Sequence, residues 1–315
     1  MSNPNQPPPQ AVANLPIGET VLGAFASVAG QLGLVARAAK GAFLLLVMAS
    51  LISLALPAGG SSSLFLVLVS FAATCHFGVN WCRVMLLGPA GLPARALIWR
   101  EPHWRFFGHG LLLFLVMMLL TLPMTFIGSV LAGLLGLAGT ADAGPGLGVA
   151  LVLLLVFVGV LYVLARLGFI FPAIAVEESY DLRLAWQHTA GQGARVTAAL
   201  FAAGLPVVLA QLALTAFLFD SLFDISITQM LPAPGGELPT AAPPPSDSLP
   251  QEAPSVFAVL LFDLVAAVTN FLSFAVLFSL LCLAFRTCTG WVPAGPASLP
   301  AAPRDEDRDG SNDGF

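Results

Sequence analysis

The sequence predicts an all-α protein, a six-span transmembrane helical bundle made of three hairpins with amphipathic helices at its cytoplasmic interface. Three observations carry this prediction. Of the 315 residues, 57% are hydrophobic and only 9% are charged, whereas about 25% are charged in an ordinary soluble domain. Six apolar stretches come close to or exceed the roughly 20 residues that a helix needs to cross a bilayer. Of the 12 Lys and Arg residues, 11 fall before, after or on alternate connections between those stretches, and Arg166 lies near the end of the fourth stretch.

The apolar stretches define the expected spans. They cover residues 41–57, 64–82, 107–138, 147–171, 196–219 and 256–285. Two of them contain proline, at Pro123 and Pro206. Proline is compatible with a transmembrane helix because neighbouring helices and local backbone adjustments satisfy the carbonyl groups that it frees.

Composition sets the expected domain boundaries. Residues 17–290 are expected to form one transmembrane domain, flanked by disordered tails at residues 1–16 and 291–315. The Pro-rich residues 232–254 have no run of apolar side chains that would pack, so we expect a disordered extracytoplasmic loop there.

The cations set the expected orientation. They occur in four groups: Arg37 and Lys40; Arg83, Arg95, Arg100 and Arg105; Arg166, Arg183 and Arg195; Arg286, Arg304 and Arg308. The other connections carry no cation. Because loops rich in Lys and Arg stay in the cytoplasm, both termini are predicted to be cytoplasmic. The heavy use of Ala, Gly, Pro and Leu indicates a GC-rich bacterial genome, which places the chain in a bacterial inner membrane.

A segment of amphipathic character precedes each odd-numbered span. Residues 17–40 show it best, because their apolar side chains recur at helical spacing. Residues 92–106 and 176–195 mix Trp, Arg and acidic side chains. We expect all three segments to lie on the cytoplasmic surface with Trp99, Trp104 and Trp186 at the lipid headgroups. Three copies of one unit, a surface helix followed by a transmembrane hairpin, would explain why an amphipathic segment precedes each odd-numbered span.

Several function classes are excluded or disfavoured. So few cations cannot build a nucleic-acid-binding surface, and the four cysteines match no structural zinc spacing. No nucleophile elbow, HExxH helix, phosphate loop or pair of catalytic carboxylates is present. We therefore expect no enzymatic activity, no cofactor and no metal.

A polar stripe on the second span is the best candidate for a cavity. His76, Asn80 and Arg83 follow one another at i, i+4 and i+7, and Gln211 and Asn270 are polar side chains on other spans. One interpretation is a polar cavity that opens to the cytoplasm. The other is a purely structural stripe that forms hydrogen bonds with Gln211, Thr125 or the backbone of neighbouring helices.

Residues 80–107 and 164–195 contain short motifs of basic, aromatic and glycine residues. These are an aromatic-x-Arg followed by Leu-Leu-Gly, an Arg-Glu before the third span, and a later Arg, Pro-Ala and Ala-Trp element. The residues at these positions are Arg83, Gly88, Arg100, Glu101, Arg105, Arg166, Pro172, Trp186 and Gly191. The chain resembles a group of uncharacterised multi-pass inner-membrane proteins of alphaproteobacteria. Its architecture is also similar to the membrane domain attached to some glycerophosphodiester phosphodiesterases. The resemblance implies fold and location, and it does not imply an established activity.

Together, these features predict a non-enzymatic inner-membrane protein that acts as a lipid-interacting or protein-interaction scaffold. The arginines would hold anionic headgroups, and Arg–Glu pairs would fix the surface helices. The residues expected to do so are Arg83, Arg100, Glu101, Arg105, Arg166 and Trp186. Membrane lipids are the expected partners, while protein partners and a homo-oligomer stay open. The alternative is a small-solute transporter or channel lined by His76, Asn80, Gln211 and Asn270.

Overall fold

The computed structural model describes residues 14–55, 60–134, 147–223 and 256–293. Within these ranges the chain is helical and contains no strand. The helices are α1 (Ile17–Gly30), α2 (Leu32–Ala55), α3 (Gly60–Leu87), α4 (Glu101–Leu134), α5 (Leu147–Leu167), α6 (Ile170–Ala175), α7 (Leu182–His188), α8 (Gly193–Phe223) and α9 (Val256–Thr289). Six helical segments are long and apolar enough to cross a membrane. This confirms the all-helical, multi-pass prediction.

Consecutive spans contact one another. Helix α2 packs against α3, α4 against α5, and α8 against α9. Helices α3 and α9 also contact each other, and α8 contacts α5. Helices α4 and α8 continue through Pro123 and Pro206, as expected for prolines inside transmembrane helices.

Large apolar side chains that are exposed occur mainly in one part of the bundle, which we call the exposed apolar band. It covers residues 44–52 of α2, 64–68 of α3, 111–131 of α4, 151–158 of α5, 201–217 of α8 and 257–272 of α9. On α4 the band extends over 20 residue steps, from Leu111 to Leu131, which is about 30 Å at the helical rise of 1.5 Å per residue. This length matches the hydrocarbon core of a bilayer.

Beyond the band lies a compactly packed part of the molecule, which we call the core end. Its largest fully buried side chain is Trp81 of α3. The Trp81 indole Nε1 donates hydrogen bonds to the Ala275 carbonyl (3.0 Å) and to Ser279 Oγ (2.9 Å) on α9. Phe77, one turn earlier, has its ring centroid 5.2 Å from that of Phe271. These contacts fix α3 against α9 and so determine which face of α3 carries its polar side chains.

The segment between α6 and α8 connects the helices of the core end. Asp181 caps α7 by accepting a hydrogen bond from the Leu184 amide (2.7 Å). Burial raises the pKa of the Tyr180 hydroxyl, which forms a hydrogen bond with His188 Nδ1 (2.8 Å). Thr189 and Gln192 are buried in the same segment.

Packing extends beyond the expected domain boundaries at both ends. Leu15 is 1% exposed, and its amide donates to Gln192 Oε1 (3.3 Å). Trp291 packs against the core and donates from Nε1 to Glu178 Oε1 (3.2 Å). The ordered domain therefore includes at least Leu15 and Trp291, because burial and hydrogen bonds anchor both. The remaining parts of the predicted tails, and the loop predicted at 232–254, lie outside the described residues.

Helix α1 packs against α8 and α9. Its buried residues are Thr20, Ala24 and Val28, whereas Val21 and Phe25 are only partly buried against the core. The expected apolar stripe runs through Val21, Phe25, Val28, Leu32 and Val35, and of its members only Val28 is among the buried residues of α1. Small side chains such as Ala24 lie on the buried face because they allow α1 to come close to α8 and α9.

Candidate functional site

A polar pocket lies at the core end, between the end of α3, the connection to α4 and the first turn of α4. It has a volume of about 230 Å³ and is lined by polar side chains and loop backbone. The polar side chains are Asn80, Arg83, Arg100 and His103. Two of them, Asn80 and Arg83, belong to the predicted stripe on α3, and the other two come from the segment that precedes the third span.

His76 and Asn80 lie one turn apart on α3 and are 1% and 3% exposed. The Asn80 Nδ2 amide donates to His76 Nδ1 at 3.3 Å. Since His76 accepts at Nδ1, the neutral imidazole carries its proton on Nε2. Both His76 Nε2 and Asn80 Oδ1 are buried without a hydrogen-bond partner.

His103 repeats this arrangement on α4. The Arg100 backbone amide donates to His103 Nδ1 at 3.2 Å, so the neutral His103 also has its N–H at Nε2. That atom is buried and unpartnered, as is the indole Nε1 of Trp99.

The rings of His76, Trp99 and His103 form a triangle. Their centroids are 5.0 Å apart for the two histidines, 5.9 Å for His76 and Trp99, and 5.5 Å for Trp99 and His103. Each ring has one buried N–H without an acceptor, and Asn80 Oδ1 is a nearby acceptor without a donor. Leaving such a group unsatisfied costs about 1–3 kcal/mol. Four of them in one cluster indicate a site that a polar ligand or ordered water completes.

Helix α2 closes the back of this cluster at Gly41, which is buried. A Cβ atom at Gly41 would overlap the Ala96 carbonyl oxygen and lie 2.8 Å from His76 Cε1. Glycine is therefore required here so that α2 can approach both the His76 ring and the backbone of the segment that carries Trp99.

Arg83 is held by the protein on one side of the pocket. Its Nε donates to the Gly91 carbonyl (3.2 Å) and its Nη1 to the Ala175 carbonyl (3.0 Å). Nη1 also forms an ion pair with Glu177 Oε1 at 2.8 Å. These contacts orient the guanidinium and bring its positive charge to the pocket lining.

The remaining residues of this group are at the start of α4. Arg100 is exposed and lines the pocket, Glu101 is exposed in the first turn, and Arg105 is half-buried. In the described part of the chain, Arg83 of this group forms an ion pair with Glu177 across the fold. Glu101 lies in the first turn of α4, a position that the helix dipole favours for an acidic side chain.

Arg166 is buried within the protein, with 9% of its surface exposed. It donates from Nε to Thr189 Oγ1 (3.1 Å) and from Nη2 to the Trp186 carbonyl (2.6 Å). Its guanidinium carbon lies 3.6 Å from the centroid of the Trp186 ring. Contacts within the chain therefore surround Arg166, and the Trp186 ring covers its guanidinium.

Gln211 and Asn270 do not join His76 and Asn80. Gln211 lines a separate cavity of about 310 Å³ together with Thr215 and Thr269, and Asn270 is half-buried on α9. The Thr125 hydroxyl donates to the carbonyl groups of Thr121 and Leu122 in its own helix. Within the described ranges, no group of three or more His, Cys, Asp or Glu side chains is arranged to hold a metal ion.

Trp99 and His103 are partners of the stripe that the sequence does not predict. Trp99 was expected to lie at the headgroups, whereas its indole nitrogen is buried. The available signal was a Trp and a His, both N–H donors, four residues apart where the connection after the stripe leads into the third span. Their placement against α3 depends on the non-helical path of residues 92–100, which helical periodicity does not predict.

Comparisons of the chain with models of protein families, with curated proteins and with solved structures find no match.

Proposed function

We propose that this chain is a non-enzymatic integral membrane protein whose core end binds a phosphate-bearing headgroup or solute in the pocket of Asn80, Arg83, Arg100 and His103. The observation that carries the proposal is the composition of that pocket. It combines two guanidinium groups with the buried, unpartnered His103 Nε2 and Asn80 Oδ1. Guanidinium groups are well suited to phosphate oxygens because they offer several N–H donors in a planar fork.

The unpartnered atoms narrow the ligand chemistry. His103 Nε2–H donates, which suits an oxyanion, whereas Asn80 Oδ1 accepts and so calls for a hydroxyl or N–H on the ligand. A phosphate that carries a hydroxyl satisfies both, as hydrogenphosphate or a phosphorylated headgroup with a free hydroxyl would.

The depth of the pocket supports a site at the membrane–water boundary. His103 precedes Leu111, where the exposed leucines of α4 begin, by eight residues or about 12 Å. Trp104, next to His103, is 64% exposed, and exposed tryptophan is typical of the headgroup region. In the proposed orientation, with both termini in the cytoplasm of a bacterial inner membrane, this boundary is the cytoplasmic one.

The test measures the thermal unfolding of the purified protein in detergent with increasing inorganic phosphate. A ligand at 100 times its Kd stabilises the folded state by about 2.7 kcal/mol, so the wild-type protein is expected to unfold at a higher temperature. Arg100→Gln should lose most of this shift. Arg95→Gln is the matched control, because Arg95 is exposed in the same connection but is not among the pocket-lining residues.

A second arm separates the two sources of phosphate. If phosphatidylglycerol in nanodiscs competes with inorganic phosphate and phosphatidylcholine does not, the ligand is a lipid headgroup. If neither lipid competes, the ligand is a phosphate-bearing solute. An equal phosphate shift in wild type and Arg100→Gln would contradict the proposal.

Transport of a small solute is the second candidate function. The observation that favours it is the cavity lined by Gln211, Thr215 and Thr269, which lies within the exposed apolar band. It ranks second because that cavity shares no lining residue with the Arg100 pocket. Uptake of phosphate into proteoliposomes that is abolished by Gln211→Leu would place transport first.

A further inference from the structure

A groove between α2 and α9 combines exposed cations with an apolar floor. Its volume is about 490 Å³. Arg37 and Lys40 of α2 line it, together with Phe43 on the same helix and Val268 and Leu272 on α9. Both cations are exposed, and the residues that line this groove include no acidic side chain.

The groove lies at the edge of the exposed apolar band. Val268 and Leu272 are 47% and 37% exposed and are the last exposed apolar residues of α9 before the core end. On α2, Lys40 lies one turn before Leu44, the residue at which the band begins. Arg37 lies seven residues before Leu44, which is about 10 Å along the helix. The apolar floor is therefore at the depth of acyl chains and the cations are at the depth of headgroups.

The spacing of the two cations strengthens this assignment. Arg37 and Lys40 are three residues apart, so they lie on the same face of α2. Long cationic side chains at a helix end extend towards the headgroups while their aliphatic stems cover apolar surface. Two such side chains above an apolar groove present complementary charge to one phosphate group whose acyl chain lies between the helices.

We infer that this groove is a binding site for an anionic phospholipid, with Arg37 and Lys40 on the phosphate and one acyl chain along Phe43, Val268 and Leu272. The inference extends the proposed function from headgroup chemistry to a second, separate site. It rests on different residues, because the groove and the Arg100 pocket share none. Free phosphate is not the ligand, because the apolar side chains of the floor provide no hydrogen-bond donor for it.

The experiment is native mass spectrometry of the full chain, titrated with phosphatidylglycerol or phosphatidylcholine. The wild-type protein is expected to bind phosphatidylglycerol more tightly than phosphatidylcholine. Each cation near a membrane surface contributes about 1 kcal/mol, or roughly fivefold in affinity, so Arg37→Gln with Lys40→Gln should weaken binding about 30-fold. The matched control is Arg183→Gln with Arg195→Gln, which removes two exposed cations outside the groove and should leave binding unchanged.

A steric variant tests the groove without changing charge. Ala36 is exposed and lines the groove, so Ala36→Phe should fill part of it and also weaken phosphatidylglycerol binding. Ala202→Phe places the same side chain at an exposed position of α8 and is the control. If the double cation variant or Ala36→Phe binds phosphatidylglycerol as its control does, the inference is wrong. Equal binding of phosphatidylcholine by the wild-type protein would also overturn it.

Measuring the variants of each site in the assay of the other site distinguishes the two sites. Arg37→Gln with Lys40→Gln is expected to keep the phosphate-induced thermal shift, and Arg100→Gln is expected to keep binding at the groove. Loss of phosphatidylglycerol binding only in the groove variant would support the groove even if the phosphate shift is absent from every protein.

Discussion

Arg83 and Glu177, which are 94 residues apart in the chain, form an ion pair of 2.8 Å that joins the end of α3 to the segment after α6. The two partners differ in surroundings, because the Arg83 side chain is 23% exposed and that of Glu177 is 61% exposed. Arg83 also donates to two backbone carbonyls, those of Gly91 and Ala175. The Arg83 side chain therefore contacts Gly91, Ala175 and Glu177, whereas Arg83 is the ion-pair partner of Glu177.

This asymmetry predicts unequal effects of the two substitutions. Glu177→Gln should cost less than about 1 kcal/mol, because an exposed ion pair is screened by solvent. Arg83→Gln should cost more, roughly 1–3 kcal/mol, since two carbonyl groups lose their donor. Thermal unfolding of both single variants and of the double variant measures the difference. Equal losses in the two single variants would contradict the assigned role of Arg83.

Gly41 gives a prediction about packing between α2 and the pocket. Gly41→Ala should destabilise the protein by about 1–3 kcal/mol, because the added methyl group overlaps the Ala96 carbonyl and displaces the His76 ring. Gly33→Ala is the matched control on the same helix, since a Cβ at Gly33 meets no atom within 4 Å. That control should be neutral or stabilising by up to about 1 kcal/mol. Unfolding temperatures measured in one detergent decide the comparison.

The contact between Arg166 and Trp186 predicts that a lysine, which keeps the positive charge, cannot replace Arg166. Arg166→Lys should destabilise the core end by at least about 2 kcal/mol, because a lysine ammonium cannot reproduce the stacked guanidinium or its divergent hydrogen bonds. Arg183→Lys, at an exposed position of the same region, should change stability by no more than about 0.5 kcal/mol. If both variants unfold at the wild-type temperature, Arg166 is not the structural element that its contacts indicate.

These residues also show what the sequence predicts well and what it does not. The six spans are predicted because a helix that crosses a bilayer needs a long apolar run, which is visible in one dimension. The roles of Arg83 and Arg166 are not visible in that way. Arg83 follows one apolar span and Arg166 lies near the end of another. Only the fold brings Glu177 close to Arg83 and Trp186 close to Arg166.

The candidate site was predicted in part for the same reason. The spacing of four residues predicts that His76 and Asn80 share a helix face, and the structure adds the hydrogen bond between them. Trp99 and His103 reach them through a connection in which residues 92–100 are not helical. Gln211 was grouped with them because it is polar and lies in a span, but polarity alone does not determine which helices are neighbours.

The buried pair of His76 and Asn80 leads to a prediction that separates ligand binding from folding. Replacing both residues by Leu removes two buried polar atoms that have no partner along with the hydrogen bond between them. Exchanging both members of such a pair for apolar groups is close to neutral or stabilising. The unliganded double variant is therefore expected to unfold at or above the wild-type temperature, while the shift caused by inorganic phosphate is lost.

The control for this variant is a pair of matched positions on α3 away from the pocket. Ser70→Leu with Thr74→Leu changes two polar residues one turn apart that are linked by a hydrogen bond of 2.9 Å from Thr74 Oγ1 to the Ser70 carbonyl. It should keep the full phosphate shift. A double variant at His76 and Asn80 that unfolds far below wild type would show that both side chains serve only to hold the fold together. One that keeps the phosphate shift would show that Asn80 makes no contact with the ligand, because its free oxygen would then contribute nothing to binding.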